Sequence, residues 1–379
     1  MTVAMDILHD RESKHYTLYA HPDKGGFFGL SALHNFNNSV LEPYSKAQID
    51  ETLILDFSLV KVWDISALLW LTIALHHYRR VGLPFILRLP EGKQDMSDKE
   101  RDEYDKSADY LRRWKFYDAL LNISMEPSEL LVPEQHAFFS TGGPLRFYKD
   151  YKQPNESGLM EAFMSRRLFQ IWNLSDPKTY GATNMSQHIS EHIQMFQSKG
   201  IGNILCTQCG IKKRDADLFA DHLLTEALLN VCEHPNATIG LIAISIMGKT
   251  KELVLCIADN GDSIPETIHP TYRDNNPDNE ATNSQYNRDL STKDKASLAD
   301  YATQKNVTRK SGDEAKGAGM GLTYIKEDTL SVFKGKFRII TDQVSLKHEG
   351  KDASSYVEEE WKHPWKGNLL RIAIPIPDK

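Results

Sequence analysis

Apolar and polar positions fall into two differently patterned halves. Between residues 15 and 90, the segments HYTLYA, TLILDFS and PFILRLP have the length and the β-branched or aromatic content of strands. A run from Ser66 to Val81 between the last two predicts a helix. That order predicts a small α/β domain. Residues 91–112 are charged and helix-compatible, and from about 120 to 180 the chain is broken by Pro133, Gly142-Gly143-Pro144, Pro154 and Pro177. Such punctuation is too frequent for a long regular element and marks a domain junction. From Asp215 the pattern sharpens into a helix (DADLFADHLLTEALLNVCEH), a strand (ATIGLIAISIM), a GKTK turn and a second strand (ELVLCIADN). A long polar stretch follows, then a helix from Met320, a strand at KFRIIT and a closing strand, NLLRIAIPIP.

A chain of 379 residues suits two domains better than one core. The net charge of −7 gives no general attraction to nucleic acid or to an anionic membrane. The longest apolar run, Ala67 to Leu75, falls short of the ~20 residues a bilayer requires. The N-terminus lacks a charged-then-apolar signal pattern, so the expectation is a cytoplasmic protein with no membrane association. Cys206 and Cys209 form a CxxC pair, but zinc needs about four converging ligands, so these read as packed or surface thiols.

Three short stretches carry candidate chemistry. On the helix through residues 218–234, Glu226 and Asn230 are one turn apart, and Glu233 and His234 follow on the same face, with Leu224, Leu228, Val231 and Cys232 roughly opposite. A carboxylate beside an amide oxygen suits phosphate chemistry, because Mg²⁺ takes hard oxygen ligands and the carboxylate can accept a proton from a nucleophile. The second strand ends in Asp259-Asn260-Gly261. A carboxylate there can accept from the exocyclic amine of adenine, whereas guanine presents a carbonyl oxygen, and Gly261 lets the chain pass close to a base. Third, Gly317, Gly319 and Gly321 in KGAGMGL open a helix, where exposed N–H groups suit phosphate oxygens. Gly248-Lys249-Thr250 imitates the end of a Walker A loop, but Ala243 stands where its first glycine belongs and a strand follows, so it reads as a hairpin turn.

In this order the three stretches resemble the N, G1 and G2 boxes of the GHKL superfamily of ATPases and kinases: TEALLNVCEH, ADNGDSIP and KGAGMGL. The resemblance covers residues 185–379, and it implies a Bergerat α/β sandwich that binds ATP with Mg²⁺. It assigns Glu226 as catalytic base, Asn230 as Mg²⁺ ligand, Asp259 as the adenine-reading aspartate and Gly261 as the G1 glycine. Gly317, Gly319 and Gly321 become the phosphate loop. The stretch 262–316 becomes the ATP lid, in which Arg309, Lys310 and Lys316 are the basic residues placed to reach phosphate. The chain departs from the pattern at Ser263, which replaces the second G1 glycine where the lid begins.

The N box is closer to that of anti-sigma serine kinases than to other branches. No histidine-kinase acceptor box is present, and His188 and His192 read as ordinary helix residues. The segment from Thr52 to Pro90 resembles a STAS domain, with Ser66 of Asp64-Ile65-Ser66 at the antagonist phosphoacceptor position and capping the following helix; Ala67 replaces the glycine after it. The expected division is a STAS-like α/β domain over 1–120, an irregular linker over 121–184 and a GHKL domain over 185–379. The function implied is a Mg-ATP-dependent ATPase switch whose lid closure changes how the N-terminal domain meets a protein partner, either of STAS type or a second copy in a homodimer. Two alternatives stand beside it: a serine/threonine kinase acting on a STAS partner or on its own N-terminal half, and a nucleotide sensor without turnover, against which Glu226 speaks.

Overall fold

The computed structural model describes residues 7–10, 15–19, 26–45, 52–80, 85–88, 97–113, 116, 168–173, 187, 189–190, 193–194, 200–207, 209–232, 234, 236–247, 250–276, 290–307, 321–350 and 356–376. The chain divides into two compact units, Met1–Trp172 and Asn173–Lys379.

In the first unit, β1 (Ile7–Asp10) pairs antiparallel with β2 (His15–Tyr19), and β2, β4 (Thr52–Asp56) and β6 (Phe85–Arg88) run parallel in the order β1-β2-β4-β6. The parallel pairings need crossovers, supplied by α1 (Leu30–Ser45) and α2 (Ile65–Arg80). A two-stranded ribbon of β3 (Phe27–Phe28) and β5 (Val62–Trp63) lies beside them, and α3 (Asp98–Arg113) follows. β2, β4, α2 and β6 are the elements read from the periodicity; β1, β3, α1 and β5 are not. The core gathers Phe28, Phe36, Phe57 and Trp63, with ring centroids 5.1 Å apart for Phe28 and Phe57. Ser107 of α3 closes this core, accepting from Trp63 Nε1 at 3.1 Å and donating to the Val60 carbonyl at 2.9 Å.

Helix α2 is buried all round from Ile65 to Leu75, as expected of a helix apolar on every face. Its cap corrects the sequence reading. Asp64, not Ser66, precedes the first turn, and its Oδ1 accepts from the Ser66 N–H at 2.7 Å. A carboxylate satisfies an orphan N–H and also meets the positive end of the helix dipole, so it outcompetes the hydroxyl two residues on. Ser66 lies inside the helix at 0% exposure, and its Oγ has no partner among the described residues.

The second unit is built on four strands of one sheet, in the order β10-β11-β9-β8, with β8 (Gly240–Met247), β9 (Glu252–Asp259), β11 (Val357–Pro375) and β10 (Lys336–Glu349) successively antiparallel. β8 and β9 pair antiparallel, as a hairpin requires, and Gly248 and Lys249 of the expected turn lie outside the described residues. Strand β7 (Leu168–Asn173), at whose end the two units divide, is the one described element in the stretch 121–184. Its sequence LFQIWN is rich in β-forming residues, which outweighs the proline punctuation on either side.

Before the hairpin come α4 (Ile201–Thr207), α5 (Lys213–Leu218), a π turn (Phe219–Leu223) and α6 (Leu224–Cys232). After it, the stretch expected to be a long polar lid contains two capped helices, α7 (Ile264–Asn275) and α8 (Thr292–Tyr301). Ser263 caps α7, accepting from the Glu266 N–H at 3.3 Å with Pro265 in the first turn, so the residue that departs from the G1 pattern starts a helix. Ser291 caps α8 in the same way. Helix α8 packs on β10 through Ala296 and Ala299 against Val344 and Leu346. Last comes α9 (Gly321–Glu327), which runs into a second π turn (Asp328–Val332).

Candidate nucleotide site

The helix carrying the candidate base and metal ligand turns its apolar face inward, with Leu224, Ala227, Leu228 and Val231 buried, while Glu226 and Asn230 are half-buried. The first residue of α9 lies directly on these two. A Cβ added to Gly321 would stand 2.9 Å from Glu226 Oε2 and 3.2 Å from Asn230 Nδ2, so a side chain here would push on the ends of both candidate site residues. Asn230 Nδ2 is buried and has no hydrogen-bond partner among the described residues, a group that needs a ligand.

Helices α6 and α9 are also joined at their π turns, where His222 and Asp328 are hydrogen-bonded at 3.1 Å and Phe219 meets Phe333 edge-on with centroids 5.9 Å apart. The far side of α9 is tied to the end of α8: Thr323 Oγ1 donates to the Thr303 carbonyl at 3.0 Å and Lys326 Nζ to Thr303 Oγ1 at 2.6 Å. Burial holds the Lys326 ammonium below its usual range, against the opposing attraction of Asp300 and Glu327.

Asp259 ends β9 at 4% exposure. Its Oδ1 accepts from the Gly261 N–H at 2.8 Å, so Gly261 closes an Asx turn around the carboxylate. A nitrogen of the His234 ring stands 3.3 Å from the same oxygen. Asn368 of β11, the residue paired directly opposite Asp259, donates to Oδ1 and Oδ2 at 3.2 and 3.3 Å. Asn260 points the other way, and its Oδ1 accepts from the Thr238 and Ile239 N–H groups at 2.9 Å, which holds the entry to β8 against the turn.

Asn230, His234, Asp259 and Asn368 line one pocket, partly open to solvent. Its apolar walls come from Ile257 and Leu370 of the sheet, Val231 of α6, Ile264 of α7 and Leu322 of α9. Apolar walls with a few convergent polar groups suit a small heterocyclic ligand. The fold therefore brings together Asn230 and Asp259 in the pocket, Gly261 in the Asx turn beside it, and Glu226 and Gly321 at the junction of α6 and α9. Gly317, Gly319, Arg309, Lys310, Lys316 and Glu233 lie outside the described residues. Periodicity missed Asn368, Thr341 and Gly367; the one available signal was a glycine inside an apolar strand run, WKGNLL, which marks a bulge or a close approach.

Residues 215–360 match the family described as histidine kinase-, DNA gyrase B-, and HSP90-like ATPase. They form a GHKL-type ATPase domain. The match spans both glycine-bearing elements that meet Glu226 and Asp259, and the mixed α/β sheet and helices are consistent with the GHKL sandwich. ATP binding follows from membership of this domain family. No curated protein and no solved structure matches the chain. No helix among the described residues is long and apolar enough to cross a membrane.

Proposed function

We propose that the protein is a Mg-ATP-dependent ATPase that acts as a conformational switch. The supporting observation is that α9 contacts both ends of the machinery: Gly321 lies on Glu226 and Asn230, while Thr323 and Lys326 hold the end of α8 within the lid stretch 262–316. Adenine sits against Asp259, which accepts from its amine. Asn230 and Glu226 fit a Mg²⁺-phosphate group: Asn230 Oδ1 is the hard oxygen that would hold the ion, which would supply charge neutralisation at the phosphates, and Nδ2, unpartnered among the described residues, is a donor suited to a phosphate oxygen. Glu226 takes the proton from the attacking water.

The chain should bind ATP in preference to GTP. Asp259→Asn puts an amide where only an acceptor stood, and a buried unpaired group costs about 1–3 kcal/mol, so binding should weaken about tenfold or more. Titration calorimetry tests both; equal affinity for ATP and GTP would remove the base-reading role.

Turnover and phosphotransfer separate the remaining readings. The resemblance of TEALLNVCEH to anti-sigma serine kinases favours a second reading, transfer of the γ-phosphate to serine or threonine of a STAS-type partner or of the N-terminal half. Incubation with γ-labelled ATP sends label to free phosphate in an ATPase, to protein in a kinase and to neither in a nucleotide sensor.

The switch carries its own expectation for a STAS-like domain over 1–120 and a GHKL domain over 185–379. A lid can bias a partner surface only if ATP binds its two arrangements unequally. Hydrogen exchange on full-length Glu226→Gln with and without Mg-ATP should show protection rising around residues 310–316 and a shift near residues 66–75. Protection confined to the nucleotide pocket would leave an ATPase that is no switch.

A further inference from the structure

Asn368 reaches Asp259 through an irregularity of the sheet. Between β10 and β11 the register steps from Thr341↔Asn368 to Asp342↔Trp365, leaving two residues of β11 unpaired. One is Gly367, at φ +117, where a Cβ would lie 2.0 Å from the Asp259 carbonyl oxygen. Only glycine fits this approach, and the bulge sets the next side chain, 6% exposed, between the end of β9 and the beginning of α7.

The amide is used on both sides. Asn368 Nδ2 donates to the Asp259 carboxylate at 3.2 and 3.3 Å and to the Asp262 carbonyl at 3.0 Å, with His234 Nε2 at 3.1 Å. Asn368 Oδ1 accepts from Thr341 Oγ1 at 2.6 Å and from the Ile264 N–H at 3.0 Å, an N–H it shares with Thr341 Oγ1 at 3.0 Å. The chemistry fixes this orientation: a flipped amide would set oxygen against carboxylate and NH₂ against an N–H donor. A hydroxyl would have to reach both groups from a single oxygen, whereas the amide presents its donor and its acceptor on separate atoms, and an ionised carboxylate has no donor for Asp259.

We propose that Asn368 is the positioning residue of this site, holding the Asp259 carboxylate in place for the base and coupling it to the first turn of the lid helix α7. The proposal rests on Asp259 being the adenine reader. A base that donates to Asp259, or that lacks the donor, then changes the hold on Ile264, the residue where α7 begins and which also lines the pocket.

The test compares ADP with purine riboside diphosphate, which lacks only the exocyclic amine, on the full chain by calorimetry. Wild type should lose about tenfold or more in affinity when the amine is absent, because a hydrogen bond to a buried, charged acceptor is lost. In Asn368→Ala the two nucleotides should bind within roughly threefold of each other, since Asp259 is no longer held. A merely structural role would weaken both ligands and keep the wild-type ratio, and that result overturns the proposal. Wild type that ignores the amine would instead remove the base-reading role of Asp259, a separate failure.

Asn368→Asp keeps the shape and covers the case in which Asn368→Ala does not fold. Two carboxylates this close must share a proton, so ADP affinity of this variant should fall from about pH 5.5 to about pH 8 by about tenfold more than wild type. His234, the titratable ring beside both, is present in each protein, and the Asp262 side chain is occupied by Asn236 at 2.7 Å. Wild-type affinity at both pH values would overturn the proposal. For the lid, ADP should slow exchange of the Ile264 amide in wild type and not in Asn368→Ala; protection that survives the substitution would overturn the coupling.

Discussion

Glu226→Gln is expected to keep ATP affinity within roughly threefold of wild type and to lower turnover by about 10²–10⁴. The amide copies the shape of the carboxylate, so the close contact with Gly321, whose Cβ position is 2.9 Å from Oε2, is preserved. What it loses is the ability to accept a proton. Asn230→Ala, one turn along the same face, should act in the opposite sense, weakening Mg²⁺-dependent binding by removing an oxygen donor. Phosphate release under saturating Mg-ATP measures the first effect and calorimetry with and without Mg²⁺ the second. A Gln variant that turns over at the wild-type rate would mean that Glu226 is no base.

Removing the ammonium of Lys295 should cost about 3–5 kcal/mol of stability, because it strands a buried charge. Lys295 lies on α8 at 0% exposure, with Nζ 3.2 Å from Asp342 Oδ2 and donating to Gln343 Oε1 at 2.5 Å. Asp342 is itself buried, at the register shift of β10, with φ +48, a conformation that Asp and Asn tolerate better than other side chains. Lys295→Met keeps the length of the stem and takes the ammonium away from the buried Asp342 carboxylate. Urea unfolding of the full chain, followed on the C-terminal unit, should show the midpoint move down. Asp342→Asn in the same background removes the stranded charge and keeps the backbone conformation, so it should recover most of the loss. If Lys295→Met unfolds at the wild-type midpoint, α8 is held by its apolar face alone. The pair therefore bears on the lid: a helix fastened to the sheet by a buried ion pair moves only with β10 or by breaking that pair.

Much of the nucleotide site is local, and local features are readable along the chain. Glu226 and Asn230 share a face because they are four apart on a helix with a continuous apolar stripe, and the π turn ahead of them shifts that face without disrupting it. Asp259 and Gly261 form their own Asx turn within three residues. Gly321 was legible as one of a run of glycines, although the sequence suggested backbone donors for phosphate, and the fold adds that its missing Cβ makes room for Glu226.

The stretch 262–316, expected to be the lid, reads as one long polar segment because its residues are polar on average. Its two helices become visible only once Ser263 and Ser291 are seen capping them and Ile264, Ile268, Ala296 and Ala299 are seen buried. The cap of α2 fell to Asp64 over Ser66 by a competition between two neighbouring side chains that spacing does not rank.

The sequence by itself determined the helix face, the strand ends, the glycine positions and the two-part organisation, since each depends on residues a few places apart. Tertiary structure alone decided what surrounds Asp259. Asn368 is 109 positions away in the chain, and it meets that carboxylate because β11 pairs with β9 in one register and because a bulge at Gly367 turns it inward. Register and bulges are settled by burial and hydrogen bonding across strands, which no period along a single segment encodes.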